Sequence, residues 1–369
     1  VCPRRDLQAA STTFRRKAIT GLICPRVQPV NRQFQVSTAD ADAIEDVMVE
    51  LASSPRPHTF PSLRWFPVLA VATAFLTIAS GALAQQRYRT PDEAVAALIN
   101  AAQAGSPALL MRVLGPGSDE IVSSGDPVAD AFARKRLIDA YNIRHQIVRD
   151  GRDQAVLVVG QEEWSLPIPL VRYNNTWRFD AQVARRELVF RRIGRNEQGA
   201  IQACLLYVKA QREYAKKGFA GEGVYAPRFV SQPGEKDGLY WPAQSGEDES
   251  PLGEAAAAAA AEGYPIDGQR KPYHGYNFRI LTRQGPNAPG GEIDYMVRGN
   301  MVGGFALVAY PAEYRNSGLT TFIVNDQGSI YEKDLGSRTA AIASAMTSFD
   351  PDDTWRRMTQ AVQSASGRR

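Results

Sequence analysis

The chain has 369 residues, 22% charged and 44% apolar, which is ordinary globular composition and enough length for two domains. Its formal charge of +4 sits mostly in residues 1–84, where nine Lys/Arg face six Asp/Glu, so the near-neutral remainder excludes an electrostatic footprint for nucleic acid or an anionic membrane. Of the three cysteines only Cys204 lies beyond that stretch, which excludes an internal disulfide or a paired-cysteine metal site there and leaves Cys204 as a small buried hydrophobe.

Residues 1–63 carry Pro, Arg and Ser without a persistent apolar period, and no Met precedes Met48. They read either as a disordered leader or as misassigned translation upstream of a start at Met48 or Val49. Arg64 then precedes the apolar run WFPVLAVATAFLTIASG, and Ala82-Leu83-Ala84 follows. A positive residue, an apolar core and an A-x-A end predict a Sec-type signal over 64–84 with cleavage after Ala84. The run is marginally short for a span and lacks a stop-transfer flank. The expectation is a periplasmic or secreted protein without a membrane span, or a membrane-anchored one if the signal is retained.

The first domain is expected over 88–184. Thr90-Pro91-Asp92-Glu93 is a helix start, with Thr as N-cap, Pro in the first turn and acids at the positive dipole end. Val95, Leu98, Ile99 and Ala102 make its apolar face, and further helices are expected over 107–114 and 130–139. Strands follow over 141–149, 154–160, 163–173 and 176–180, the last two joined by the hairpin signal Asn174-Asn175. Pro167 and Pro169 restrict their strand to an edge or a bulge. Trp164, Trp177 and Phe179 are the expected interior or rim residues. Helices followed by a curled antiparallel sheet ending in W-x-F-D resemble the nuclear transport factor 2-like fold, which hosts enzymes and non-enzymes alike.

The second domain is expected over 185–365, so the fold class is α+β throughout. Leu188, Ile193, Ile201, Cys204, Leu205 and Val208 space a long amphipathic helix over 185–217, with Gly194 and Gly199 as a point of weakness and Gly218 as its stop. Arg185, Arg186, Arg191, Arg192 and Arg195 form a basic band along it, read as a solvated face paired with Glu187, Glu197 and other acids. A long irregular section over 218–270 contains an alanine run that predicts a short helix over 255–261. Strands are expected over 276–282, 292–298, 304–310, 320–325 and 329–333, then helices over 339–347 and 353–364.

The strand-rich stretch 272–336, with WSLPIPL (164–170), RRIGRNE (191–197), DGLYW (237–241) and SPLG (250–253), resembles a bacterial family of exported proteins known only as domain of unknown function 2950. The resemblance runs from about Thr90 to Trp355. It implies export and another exported envelope protein as partner, but no activity. The order of long helix, G-Y-x-F strand, alanine-proline strand and strand ending D-x-x-G is also similar to pilin and pseudopilin globular domains. The internal amphipathic helix departs from pilins, so that similarity implies fold and not filament assembly.

The sequence contains no P-loop, H-E-x-x-H, C-x-x-C or G-x-S-x-G pattern, and no cofactor is expected. Beyond residue 84 only His145 and His274 occur, too far apart to make a metal site by spacing. Asp237, Tyr240 and Trp241 with Tyr273, His274 and Tyr276 form the candidate binding cluster, because aromatic rings beside an acid and a histidine can build a ligand shelf. The competing reading is that DGLYW anchors the long loop on the sheet. Asp326, Glu332 and Asp334 are acids close enough in sequence to weigh as calcium ligands, though calcium needs six to eight oxygens. The reading is an exported, non-enzymatic binding or structural factor of the cell envelope. The alternative is an envelope hydrolase that uses His274 and a carboxylate, Asp237 with Asp294 or Asp334 being the acid pairs weighed.

Overall fold

Three helices of the first half begin alike, with a capping side chain followed by proline. The computed structural model describes residues 85–269 and 271–359, so the leader expected over 1–63 and the signal expected over 64–84 lie outside the described residues. Thr90 caps α1 (Pro91–Gln103), Ser106 caps α2 (Pro107–Leu114) and Asp126 caps α4 (Pro127–Ile143), with the short α3 (Asp119–Val122) between them. In each the cap oxygen accepts free N–H groups of the first turn, and the proline occupies a position whose N–H has no helical partner. The helix expected over 130–139 is therefore longer than expected at both ends, and it absorbs the start of the strand expected over 141–149.

The five strands that follow are β1 (His145–Asp150), β2 (Gln154–Val159), β3 (Trp164–Ser165), β4 (Leu170–Tyr173) and β5 (Thr176–Phe179). They form one antiparallel sheet in the order β1-β2-β4-β5, with β3 on β2. Pro167 and Pro169 break the strand expected over 163–173 into two pieces, since neither can donate to a ladder. Asn174 and Asn175 adopt φ of 48° and 58°, the two positive values of a type I′ hairpin. Val95, Leu98, Ile99 and Ala102 of α1 pack with Leu157, Leu170, Trp177 and Phe179 in the first core. Of the three residues expected in the interior or at the rim, Trp177 and Phe179 are buried, while Trp164 sits on a two-residue strand and is 50% exposed.

Helix α5 (Ala181–Lys217) has 37 residues, about 55 Å at 1.5 Å per residue. It begins four residues before the expected boundary and belongs to both cores. Ala181, Ala184 and Leu188 pack in the first, and Ala200, Cys204, Tyr207 and Val208 in the second. It runs unbroken through Gly194 and Gly199 and stops at Gly218, which has φ of 69°. Among its arginines, Arg185 pairs with Glu120 and Arg191 with Glu187. Arg192 instead donates to the carbonyls of Glu120 and Ile121 and to Asn316 Oδ1, while Asn316 Nδ2 donates to the Ser123 carbonyl. Glu197 accepts from the backbone N–H groups of Leu319 and Thr320 and not from an arginine.

The second half opens with β6 (Arg228–Val230) and β7 (Gly238–Tyr240), a parallel pair, and α6 (Gly253–Ala261). Then come β8 (Tyr276–Leu281), β9 (Arg283–Gln284), β10 (Ile293–Asp294), β11 (Met296–Val297), β12 (Asn300–Met301), β13 (Ala306–Pro311), β14 (Thr320–Asn325) and β15 (Ile330–Asp334). Helix α7 (Thr339–Ala345), β16 (Ser348–Phe349) and β17 (Arg356–Arg357) close the order. The main sheet is antiparallel in the order β17-β15-β14-β13-β8, so β8 is an edge. The stretch expected as a strand over 292–298 leaves this sheet and splits between β9 and β12, because only Tyr295 at its centre is buried. The helix expected over 353–364 is replaced, as far as residue 359, by a turn on Asp352 and the edge strand β17, whose Arg356 pairs with Glu332. Residues 360–364 lie outside the described residues. No helix among the described residues is long and apolar enough to cross a membrane.

Candidate functional site

A cleft of about 1050 Å³ lies between α5, α6, β6 and β8, roofed by residues 264–269 and 271–274. Its shape follows from its wall residues. Ala255, Ala256 and Ala259 of α6 present only methyl groups, and Gly199 and Ala203 of α5 present little more, so the wall recedes. Leu206, Phe229, Phe278 and Ile280 make an apolar floor, and Tyr240, Tyr273 and His274 a polar-tipped aromatic rim.

His274 owes its position to a tight turn. Tyr273 and Tyr276 exchange both backbone hydrogen bonds, and the two residues between them, His274 and Gly275, have φ of 49° and 77°. That is a type I′ turn, and glycine is required at its second central position: a Cβ on Gly275 would lie 2.3 Å from Asn196 Nδ2. The His274 ring stacks on Tyr273 with centroids 4.2 Å apart and meets Glu262 Oε2 through Nε2 at 2.5 Å. Glu262 is the C-cap residue of α6, so the alanine helix delivers the carboxylate to the ring.

Behind the turn stands Asp126, only 1% exposed. Its Oδ1 caps α4, and its Oδ2 accepts the Tyr264 hydroxyl at 2.9 Å and the Gly275 N–H at 2.9 Å. The Tyr264 oxygen in turn accepts the His274 N–H at 3.2 Å. Burial, with the Asp126 charge adding to it, pushes the Tyr264 phenol well above its usual range, so it remains a hydrogen-bond donor. One carboxylate of the first half thus fixes the cleft turn of the second.

The structure brings Tyr240, Tyr273 and His274 of the expected cluster together and leaves the other three out of the cleft lining. Asp237 closes the loop between β6 and β7: it accepts from Gln232 N and Nε2 and pairs with Arg228 at 3.2 Å. Burial disfavours its charge, but the Gln232 hydrogen bonds and Arg228 outweigh that and hold its carboxyl below the ordinary range. Trp241 is buried against Phe219 and donates Nε1–H to the Asp248 carbonyl, so it anchors the long loop. Tyr276 is fully buried on α5 and donates to the Thr320 carbonyl. Glu262, Tyr264 and Asp126 belong to the site and were not singled out by sequence.

Neither weighed acid, Asp294 nor Asp334, lines the cleft. The acids considered for calcium are also apart. Asp326 follows β14 at the turn, Asp334 faces Thr320 at the far end of the same hairpin, and Glu332 is taken by Arg356. No group of three metal-ligating side chains occurs among the described residues. His145 stacks on Tyr141 at 3.8 Å, with Nδ1 3.0 Å from the Tyr141 carbonyl, and is a packed surface residue.

Residues 85–358 match the family described as Protein of unknown function (DUF2950). The chain belongs to that family. No curated protein and no solved structure matches the chain. For this member of DUF2950 the matched span covers every element described above, both cores and the whole cleft.

Proposed function

We propose that this chain is an exported, non-enzymatic binding protein of the cell envelope whose ligand lies in the cleft between α5, α6 and β8. The cleft itself carries the reading: an apolar floor, an aromatic rim of Tyr240, Tyr273 and His274, and no Ser, Thr, Cys, Asp or Glu among its lining residues. Export is supported by the 64–84 leader pattern and by the family match starting at Gln85, the residue after the expected cleavage point. Gln85 is already part of the fold, its side-chain amide donating to the Leu114 and Phe179 carbonyls. Helices before an antiparallel sheet, and a long helix before a largely antiparallel meander, support the nuclear transport factor 2-like and pseudopilin-like layouts as scaffolds for the two halves.

A hydrolase is the second reading, and the 2.5 Å contact between His274 and Glu262 favours it, because a carboxylate-held imidazole can serve as a general base toward water. Complementation of a deletion strain, with protein levels measured in parallel, separates the two. The binding reading expects His274→Gln and Glu262→Gln to retain function and Tyr240→Ala to lose it at normal abundance. The reverse pattern establishes the hydrolase. N-terminal sequencing of the native protein is expected to start at Gln85, and a start before Trp65 in a cytosolic fraction contradicts export.

A further inference from the structure

The edge strand β8 is open only where it lines the cleft. In an antiparallel edge strand, alternate residues turn their N–H and C=O away from the neighbour. Tyr276 directs both to Tyr273, and Thr282 directs its N–H to the Thr347 carbonyl and its C=O to the Tyr295 N–H. Even-numbered residues of β8 therefore face outward, which agrees with Pro311, a residue with no N–H, standing opposite Tyr276. Phe278 and Ile280 are the remaining outward pair. Among the described residues their backbone groups make no turn, loop or side-chain hydrogen bond, and both residues line the cleft. Closure at 276 and 282 leaves a window of two residues, one strand repeat long.

We propose that this window takes an extended acidic peptide segment of a partner protein, added to the sheet as a further strand beside β8. The proposal rests on the binding reading above and names its ligand class. Two donors and two acceptors at strand spacing are matched by a polypeptide main chain. The acidic character follows from charge: Arg228 and Lys271 line the cleft, and the acids paired with them, Asp237 and Asp267, lie outside the lining, while His274 is taken by Glu262 and adds nothing to it. Leu206 and Phe229 offer an apolar recess for every second side chain of the added strand. Arg279 takes no part in the charge argument, because its guanidinium turns to the Ser344 carbonyl of α7.

The test pans a phage-displayed library of random heptapeptides against the full chain, then measures synthetic copies of the selected peptides by fluorescence anisotropy. The selected peptides are expected to carry Asp or Glu beside an apolar residue. N-methylation of amides in one alternation phase is expected to weaken binding about tenfold, and in the other phase not at all, because only one phase faces β8. Lys271→Glu is expected to weaken binding by a similar factor. Ile280→Pro removes an outward N–H and no bond to β13, so it should also weaken binding; the N-methyl series decides the matter if that variant is unstable. Peptides that bind without phase dependence or acidic preference overturn strand addition. So does a second copy of this chain, detected by ultracentrifugation, that competes for the cleft. If no peptide binds while a photo-cross-linking residue at Tyr240 captures a lipid or glycan in intact cells, strand addition falls and the binding reading stands. If Tyr240 captures nothing and Tyr240→Ala keeps function, both fall.

Discussion

The two halves solve the problem of exposed backbone in opposite ways. In the first, the starts of α1, α2 and α4 are each capped by a side chain, the sheet ends in an Asn-Asn hairpin, and connections between elements are short. In the second, a long irregular stretch between α5 and β8 covers a sheet edge without pairing with it at Phe278 and Ile280. The first half behaves as a buttress. Its one buried carboxylate at the joint, Asp126, is spent on the turn that carries His274. Closed regular structure supplies rigidity, and the irregular half supplies the site.

The largest expected effect separates adjacent residues that sequence reading grouped together. Trp241→Ala removes a buried ring packed on Phe219 and is expected to cost about 3–5 kcal/mol of stability. Tyr240→Ala, on the cleft side, is expected to cost under about 1 kcal/mol, as is usual away from a core, while removing binding. Urea denaturation of both variants checks this. Equal destabilisation would mean that the cleft wall is part of the core and that the contrast between scaffold and site fails.

Asp126→Ala comes next. It deletes a helix cap and strands two buried donors, the Tyr264 hydroxyl and the Gly275 N–H, for an expected loss of about 2–4 kcal/mol. Tyr264→Phe removes only one of those bonds and should cost about 1 kcal/mol. If Asp126→Ala melted only the first half, leaving cleft ligand binding intact, the buttress role would be wrong.

Cys204 probes the helix common to both cores. It is fully buried, and burial pushes its thiol up to about 12, so a bulky thiol reagent should label it only on denaturation. Cys204→Ser places a hydroxyl in that site at an expected cost of about 1–3 kcal/mol. Rapid native labelling would show that α5 detaches from the sheet, and the second half would then be looser than its packing implies.

Much of the fold was legible because its signals are local. Thr90-Pro91 and Asn174-Asn175 each specify their structure within two residues, and strand 320–325 falls where its apolar run places it. Asp126-Pro127 carries the same cap-and-proline signal as Thr90-Pro91, so α4 could have been started correctly from sequence, and with it the buried carboxylate of the site. His274-Gly275 is a weaker hairpin signal than Asn-Asn, since histidine enters the left-handed region less often. The pairing of His274 with Glu262 depends on a loop trajectory that no spacing encodes. Grouping Tyr240 with Trp241 ignored strand parity, which sends neighbours to opposite faces.

The smallest effect concerns two glycines on either side of the His274 ring. Gly275→Ala should destabilise, by about 1–2 kcal/mol from its positive φ alone, with the clash against Asn196 added. Gly199→Ala is expected to do the opposite. Its φ is helical, and the new methyl would meet the His274 ring at 3.8 Å, an ordinary van der Waals contact. Alanine also restricts the unfolded chain and favours the helix, so a gain of about 0.5–1 kcal/mol is expected. Thermal unfolding of the two variants reads the sign directly. A loss of stability in Gly199→Ala would mean that His274 presses closer to α5 than 3.8 Å allows, and that the glycine is needed to seat the ring.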